Sequence, residues 1–83
     1  MYQLDDKEIR EIIGKKIRNL RKENCNNYET FCKIHNFNKV TIFRLESGDN
    51  YRISTLIQVL DALNLTLGEF FSDWDKEIES IKT

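Results

Sequence analysis

The chain contains no proline and only three glycines. Nothing breaks a long helical pattern from within, and little supports the tight turns of β-hairpins. One histidine and two cysteines are present. Cys25 and Cys32 do not have a zinc-ligand spacing, and with His35 they still leave a tetrahedral site one ligand short. Cys32 reads as a small core hydrophobe and Cys25 as a loop residue, with no disulfide expected in a cytosolic chain. No apolar run approaches the roughly 18 residues of a membrane span. The opening MYQLDDKEIR is too acidic and too polar for a secretory signal. There is no Gly-rich phosphate loop, no strand-turn-helix serine elbow and no carboxylate pair with a partner. These absences lead to the expectation of a cytoplasmic, non-enzymatic protein with no cofactor, no metal and no membrane contact.

What is present suits one folded domain. Eighty-three residues, 40% of them hydrophobic and 33% charged, allow a single small core and argue against wholesale disorder. The net charge of −1 argues against a nucleic-acid partner until its distribution is considered. Between Lys7 and Arg44 there are ten basic and four acidic residues; from Ile53 onward there are two basic and six acidic. A basic first half and an acidic second half give one face for phosphates and one that avoids them. Ordinary helix-surface charge would produce a similar count.

Hydrophobic spacing predicts helices throughout. Ile9, Ile12, Ile13, Ile17 and Leu20 form one stripe of a helix from Asp6 to about Glu23, opened by Asp5 and Glu8 at capping-box spacing. Asn27 to Gly48, NYETFCKIHNFNKVTIFRLESG, reads as two short helices meeting at a corner. The first runs from Tyr28 to about Ile34 with Phe31 and Cys32 inward. Asn36 suits the left-handed turn, Asn38 the next N-cap, and Gly48 the C-terminal stop. The second, Lys39 to Ser47, turns Ile42 and Leu45 inward. Its outer face carries Lys39, Val40, Phe43, Arg44 and Ser47, and a solvated face has no need of a valine and a phenylalanine. A fourth helix starts near Ile53 with Ser54 as its cap, is apolar around much of its circumference, and ends near Asn64. Its expected core residues are Ile53, Leu56, Ile57, Val59, Leu60 and Leu63, which would make it the central packing element. Thr66 and Glu69 form a capping box for a short fifth helix through Phe70 and Phe71. Beyond it, Ser72 can cap a tail in which Trp74, Ile78 and Ile81 share one face. That face either docks on its own domain or meets a second copy.

Three segments, IGKKIRNLRKEN, NYETFCKIHNFNKVTIFRLESG and STLIQVLDALNLTLGEFF, resemble the lambda-repressor/Cro-like (XRE-type) helix-turn-helix DNA-binding domains. The resemblance runs from Ile13 to Phe71, and its most specific parts are TIFRLESG (Thr41 to Gly48) and LTLGEFF (Leu65 to Phe71). It implies an all-α, compact five-helix domain over residues 1–71, with residues 72–83 as a short amphipathic helical tail. In that family the second helix of the motif enters the major groove. Carried over, Lys39, Val40 and Arg44 are base-reading residues, and their chemistry agrees: lysine and arginine donate to guanine, and valine suits a thymine methyl. Asn27, Tyr28, Asn38 and Ser47 fall at phosphate-contacting positions, with Asn38 also within reach of a base. Phe43 either lies against sugar edges or folds onto a neighbour. Arg21 and Glu46 correspond to a structural ion pair between the first and third helices. Phe70, Phe71, Trp74, Ile78 and Ile81 are candidate dimer contacts. The sequence departs from the family pattern at Asn26 and His35, where a core leucine is usual, at Tyr28, where glutamine is usual, and in the loop after Gly48.

The resemblance implies a transcription regulator, expected to be a repressor, that binds double-stranded DNA as a homodimer. An alternative is an antitoxin whose acidic, Trp-bearing tail binds a toxin protein while the helix-turn-helix autoregulates the operon. A third is a helix-turn-helix kept only as a protein-interaction module.

Overall fold

The computed structural model describes residues 4–25 and 27–76. Among these residues the chain forms α1 (Asp6–Asn24), α2 (Tyr28–His35), α3 (Lys39–Ser47), α4 (Ile53–Ala62) and α5 (Leu67–Phe70), and no strand. A short helical stretch at 74–76 follows. No helix among them is long and apolar enough to cross a membrane.

Local chemistry sets the helix ends. Asp5 accepts from the Glu8 amide at 2.8 Å and Glu8 from the Asp5 amide at 3.4 Å, which is the capping box that starts α1. Asn27 caps α2 by accepting from the Thr30 amide at 3.1 Å. Asn36, at φ 58°, turns the chain out of α2 in the left-handed conformation that asparagine tolerates. Asn38 then caps α3 through the Val40 amide at 2.8 Å, and Gly48 closes α3 at φ 77°. Thr66 and Glu69 form the second capping box, opening α5. Asn64, at φ 59°, follows the end of α4 as the predicted stop. Ser54 is not a cap. Arg52 precedes the helix without a side-chain bond, and its carbonyl accepts the Thr55 amide at 3.0 Å.

Ile13, Ile17, Phe31, Cys32, Ile42, Leu45, Leu56, Val59, Leu60, Leu63 and Phe70 form the core. Ile53 and Ile57, expected inside, are exposed. At roughly 100° per residue, Ile57 lies well round the helix from the line of Leu56, Leu60 and Leu63. α4 supplies Leu56, Val59 and Leu60 to this core, while the backbones of α1 and α3 make the most intimate approach. Gly14 makes that approach attainable: a Cβ there would lie 2.5 Å from the Leu45 carbonyl oxygen and 2.6 Å from that of Glu46. A mid-helix glycine costs about 1 kcal/mol against alanine, and here it lets two backbones meet. The Arg10 Nε–H donates to the Gly48 carbonyl at 3.1 Å, so α1 also holds the far end of α3.

Phe70 is 1% exposed, with the Lys16 ammonium 4.8 Å from its ring centroid and donating to its carbonyl. A ring so enclosed offers no surface to a second chain, which removes Phe70 from the candidate dimer contacts. Phe71 and Trp74 are half-buried and pack edge to face at 5.2 Å, so Trp74 rests on its own domain. Ser72 does not cap the tail; its hydroxyl donates back to the Glu69 carbonyl at 2.9 Å. Ile78, Ile81 and Asn26 lie outside the described residues.

Candidate nucleic-acid interface

The nine-residue α3 has one buried edge and one open face. Ile42 and Leu45 are fully buried against the core, whereas Lys39, Val40, Phe43, Arg44 and Ser47 are exposed. Val40 and Phe43 are 57% and 64% exposed, so two large apolar groups stand in water between two cations. Phe43 is not folded onto a neighbour. With Arg18, Arg21, Tyr28, Glu46 and Ser47 it lines an open groove of about 370 Å³ at the junction of α1, α2 and α3.

Two braces fix this helix. Arg21, only 4% exposed, donates from Nε to Glu46 Oε2 at 2.5 Å and from Nη2 to Oε1 at 3.1 Å. The ion pair that the resemblance implied is therefore formed, and its bidentate geometry is the strong form of a guanidinium–carboxylate contact. Hydrogen bonding to Glu46 raises the Arg21 pKa against the opposing effect of burial. The same guanidinium lies 5.2 Å from the Tyr28 ring centroid, and among the described residues its Nη1 has no hydrogen-bond partner. The second brace is Tyr28 itself, whose hydroxyl donates to the Lys39 carbonyl and so ties the start of α2 to the start of α3. Burial raises the pKa of this phenol.

That bond revises the role expected of Tyr28. Its hydroxyl is committed inside the chain, so an anion would meet the backbone amides of the first α2 turn instead. The other phosphate-contact candidates are similarly engaged. The side-chain oxygens of Asn27 and Asn38 serve as caps, and the Ser47 hydroxyl donates to the Phe43 carbonyl at 2.6 Å. All four are gathered around α2 and α3, but their side chains build the corner first.

Two residues escaped the reading of the sequence. Arg18 lines the groove with Phe43 and Ser47, and the basic charge of the first half of the chain was the only signal for it. Glu29 makes an ion pair with Lys39, Nζ to Oε1 at 3.0 Å, with both side chains largely exposed. No local sequence pattern announces a contact between residues ten apart across a corner. Among the described residues no group of three or more His, Cys, Asp or Glu side chains is placed to hold a metal ion. No family model matches the chain, and no curated protein and no solved structure was found to match it.

Proposed function

We propose that this chain is a sequence-specific DNA-binding transcription regulator of the lambda-repressor/Cro-like helix-turn-helix type, acting as a homodimeric repressor. The observation that carries the reading is the outer face of α3, where Lys39, Val40, Phe43 and Arg44 are exposed on a helix braced by Arg21–Glu46 and by Tyr28. A helix fixed so firmly and yet covered by apolar and cationic side chains is suited to a partner that is both grooved and anionic. Lysine and arginine donate to guanine O6 and N7, and valine meets a thymine methyl. Two such helices about a two-fold axis would read half-sites roughly 34 Å apart.

Electrophoretic mobility shift with DNA from upstream of the chain's own gene tests the reading. Binding at low salt that weakens steadily as salt rises supports it, because phosphate contacts release counterions. Absence of binding at low salt, or affinity indifferent to salt, overturns it. Arg44→Ala should cost about 1–3 kcal/mol on the preferred site and relax the base preference at one position.

A further inference from the structure

The Glu29–Lys39 pair places a carboxylate where a DNA-reading surface would be expected to carry none. Glu29 stands in the first turn of α2 and Lys39 is the first residue of α3, with their charged atoms 3.0 Å apart. Its simplest role is local: an acidic residue in the first turn complements the dipole of α2. That role does not require it to reach across the corner to a lysine on the reading helix. Nor does the pair act as a structural clasp, since both side chains are mostly in water, where such pairs contribute little.

The pair has a chemical complement. At the major-groove edge of a G·C pair, guanine presents the acceptors O6 and N7 and cytosine presents the second hydrogen of its N4 amino group. O6 and N4 are themselves joined by an N–H···O bond of about 2.9 Å. An ammonium and a carboxylate 3.0 Å apart match that spacing with the opposite polarity. Lys39 keeps two donors after Glu29 has taken one, and Glu29 Oε2 makes no hydrogen bond among the described residues.

We propose that Glu29 is a specificity-determining residue that reads a single G·C base pair together with Lys39, the ammonium donating to guanine and the carboxylate accepting from cytosine N4. The inference rests on the DNA-binding reading and deepens it. A carboxylate at this position discriminates in two ways. It rewards the cytosine amino group, and its charge repels the phosphates of every duplex, a cost offset only where that amino group is present, which lowers affinity for unrelated DNA.

The test is selection of bound sequences from a random DNA pool with the full chain, Glu29→Ala and Lys39→Ala, together with affinities for an unrelated duplex. The expected result is that both variants lose preference at the same G·C pair, by about tenfold. On the unrelated duplex they move in opposite directions: Lys39→Ala binds more weakly and Glu29→Ala more tightly. Both variants keep thermal stability near that of the parent chain. The inference is overturned if Glu29→Ala leaves every base preference intact, or relaxes a different base pair from Lys39→Ala. If the parent chain binds no DNA at low salt, the DNA-binding reading itself falls and this inference with it. If it binds DNA without base preference, the base-reading role of Glu29 falls together with the sequence-specific part of that reading, and DNA binding alone stands.

Discussion

Replacing Arg21 with methionine removes the guanidinium and keeps an unbranched side chain of similar reach. Glu46, whose side chain is 9% exposed, is then left without its cation. Breaking a buried pair from one side costs about 3–5 kcal/mol, because the remaining charge has neither water nor partner. The cost here falls at the lower end, about 3 kcal/mol, since Arg21 Nη1 is itself buried with no hydrogen bond among the described residues and its removal recovers part of the loss. For a chain of this size the total stability is about 4–12 kcal/mol, so the variant loses a large share of it. The melting temperature drops by at least roughly 12 °C. Removing both charges in Arg21→Met/Glu46→Leu should restore most of the loss, because a packed apolar pair replaces an ionic one of similar volume. Urea unfolding followed by far-ultraviolet circular dichroism measures both variants. A loss below about 1 kcal/mol in Arg21→Met, or a double variant no more stable than the single one, would refute the reasoning.

The remaining predictions concern backbone approach, the corner and pH. Gly14→Ala destabilises by about 1–3 kcal/mol despite the better helix propensity of alanine, because the new Cβ meets two α3 carbonyl oxygens that belong to the backbone. Gly68→Ala, whose Cβ meets only Thr66 Oγ1 at 3.9 Å, stabilises by about 0.5–1 kcal/mol, and thermal melts of the two variants should move in opposite directions. Tyr28→Phe loses the bond to the Lys39 carbonyl and about 1 kcal/mol of stability in urea unfolding. Burial holds the pKa values of Cys32, Tyr28 and Tyr51 above their ordinary values. Groups that hold their protons more tightly when folded contribute stability below the unfolded pKa and lose that contribution as pH rises. Stability should therefore fall from about pH 8.5 through Cys32, then from about pH 10 through the tyrosines. Cys32→Ala should abolish only the first phase, and a flat profile from pH 8 to pH 10 in the parent chain would count against it.

Much of the fold could be read from the sequence, because its helix ends are chemically explicit. Asp5, Asn36, Asn38, Gly48, Asn64 and Thr66 all stand where cap and stop chemistry places them. The Arg21–Glu46 pair was legible only through the resemblance, since the two residues are 25 apart and no local spacing joins them. What could not be read depends on three-dimensional neighbours. Ile53 and Ile57 look like core by composition, but among the described residues no element covers their side of α4. The value of Gly14 lies in a helix crossing that the sequence does not state. Phe70 and Trp74 looked alike as aromatic residues near the chain's end, yet Lys16 and α1 enclose one while the other rests half-exposed on Phe71. At the candidate interface, the exposed set on α3 follows from helical period and the burial of Ile42 and Leu45. The engagement of Tyr28, Asn27 and Ser47 with backbone groups of their own chain does not, because the same polar atom can serve a cap or a phosphate.

The most direct test of the outer face of α3 is selection of bound sequences from a random DNA pool, run in parallel with the parent chain and Arg44→Ala. The account predicts a two-fold symmetric consensus with half-sites about 10 base pairs apart, one position of which loses its preference in the variant. No enriched sequence, or the same consensus from both proteins, would contradict it.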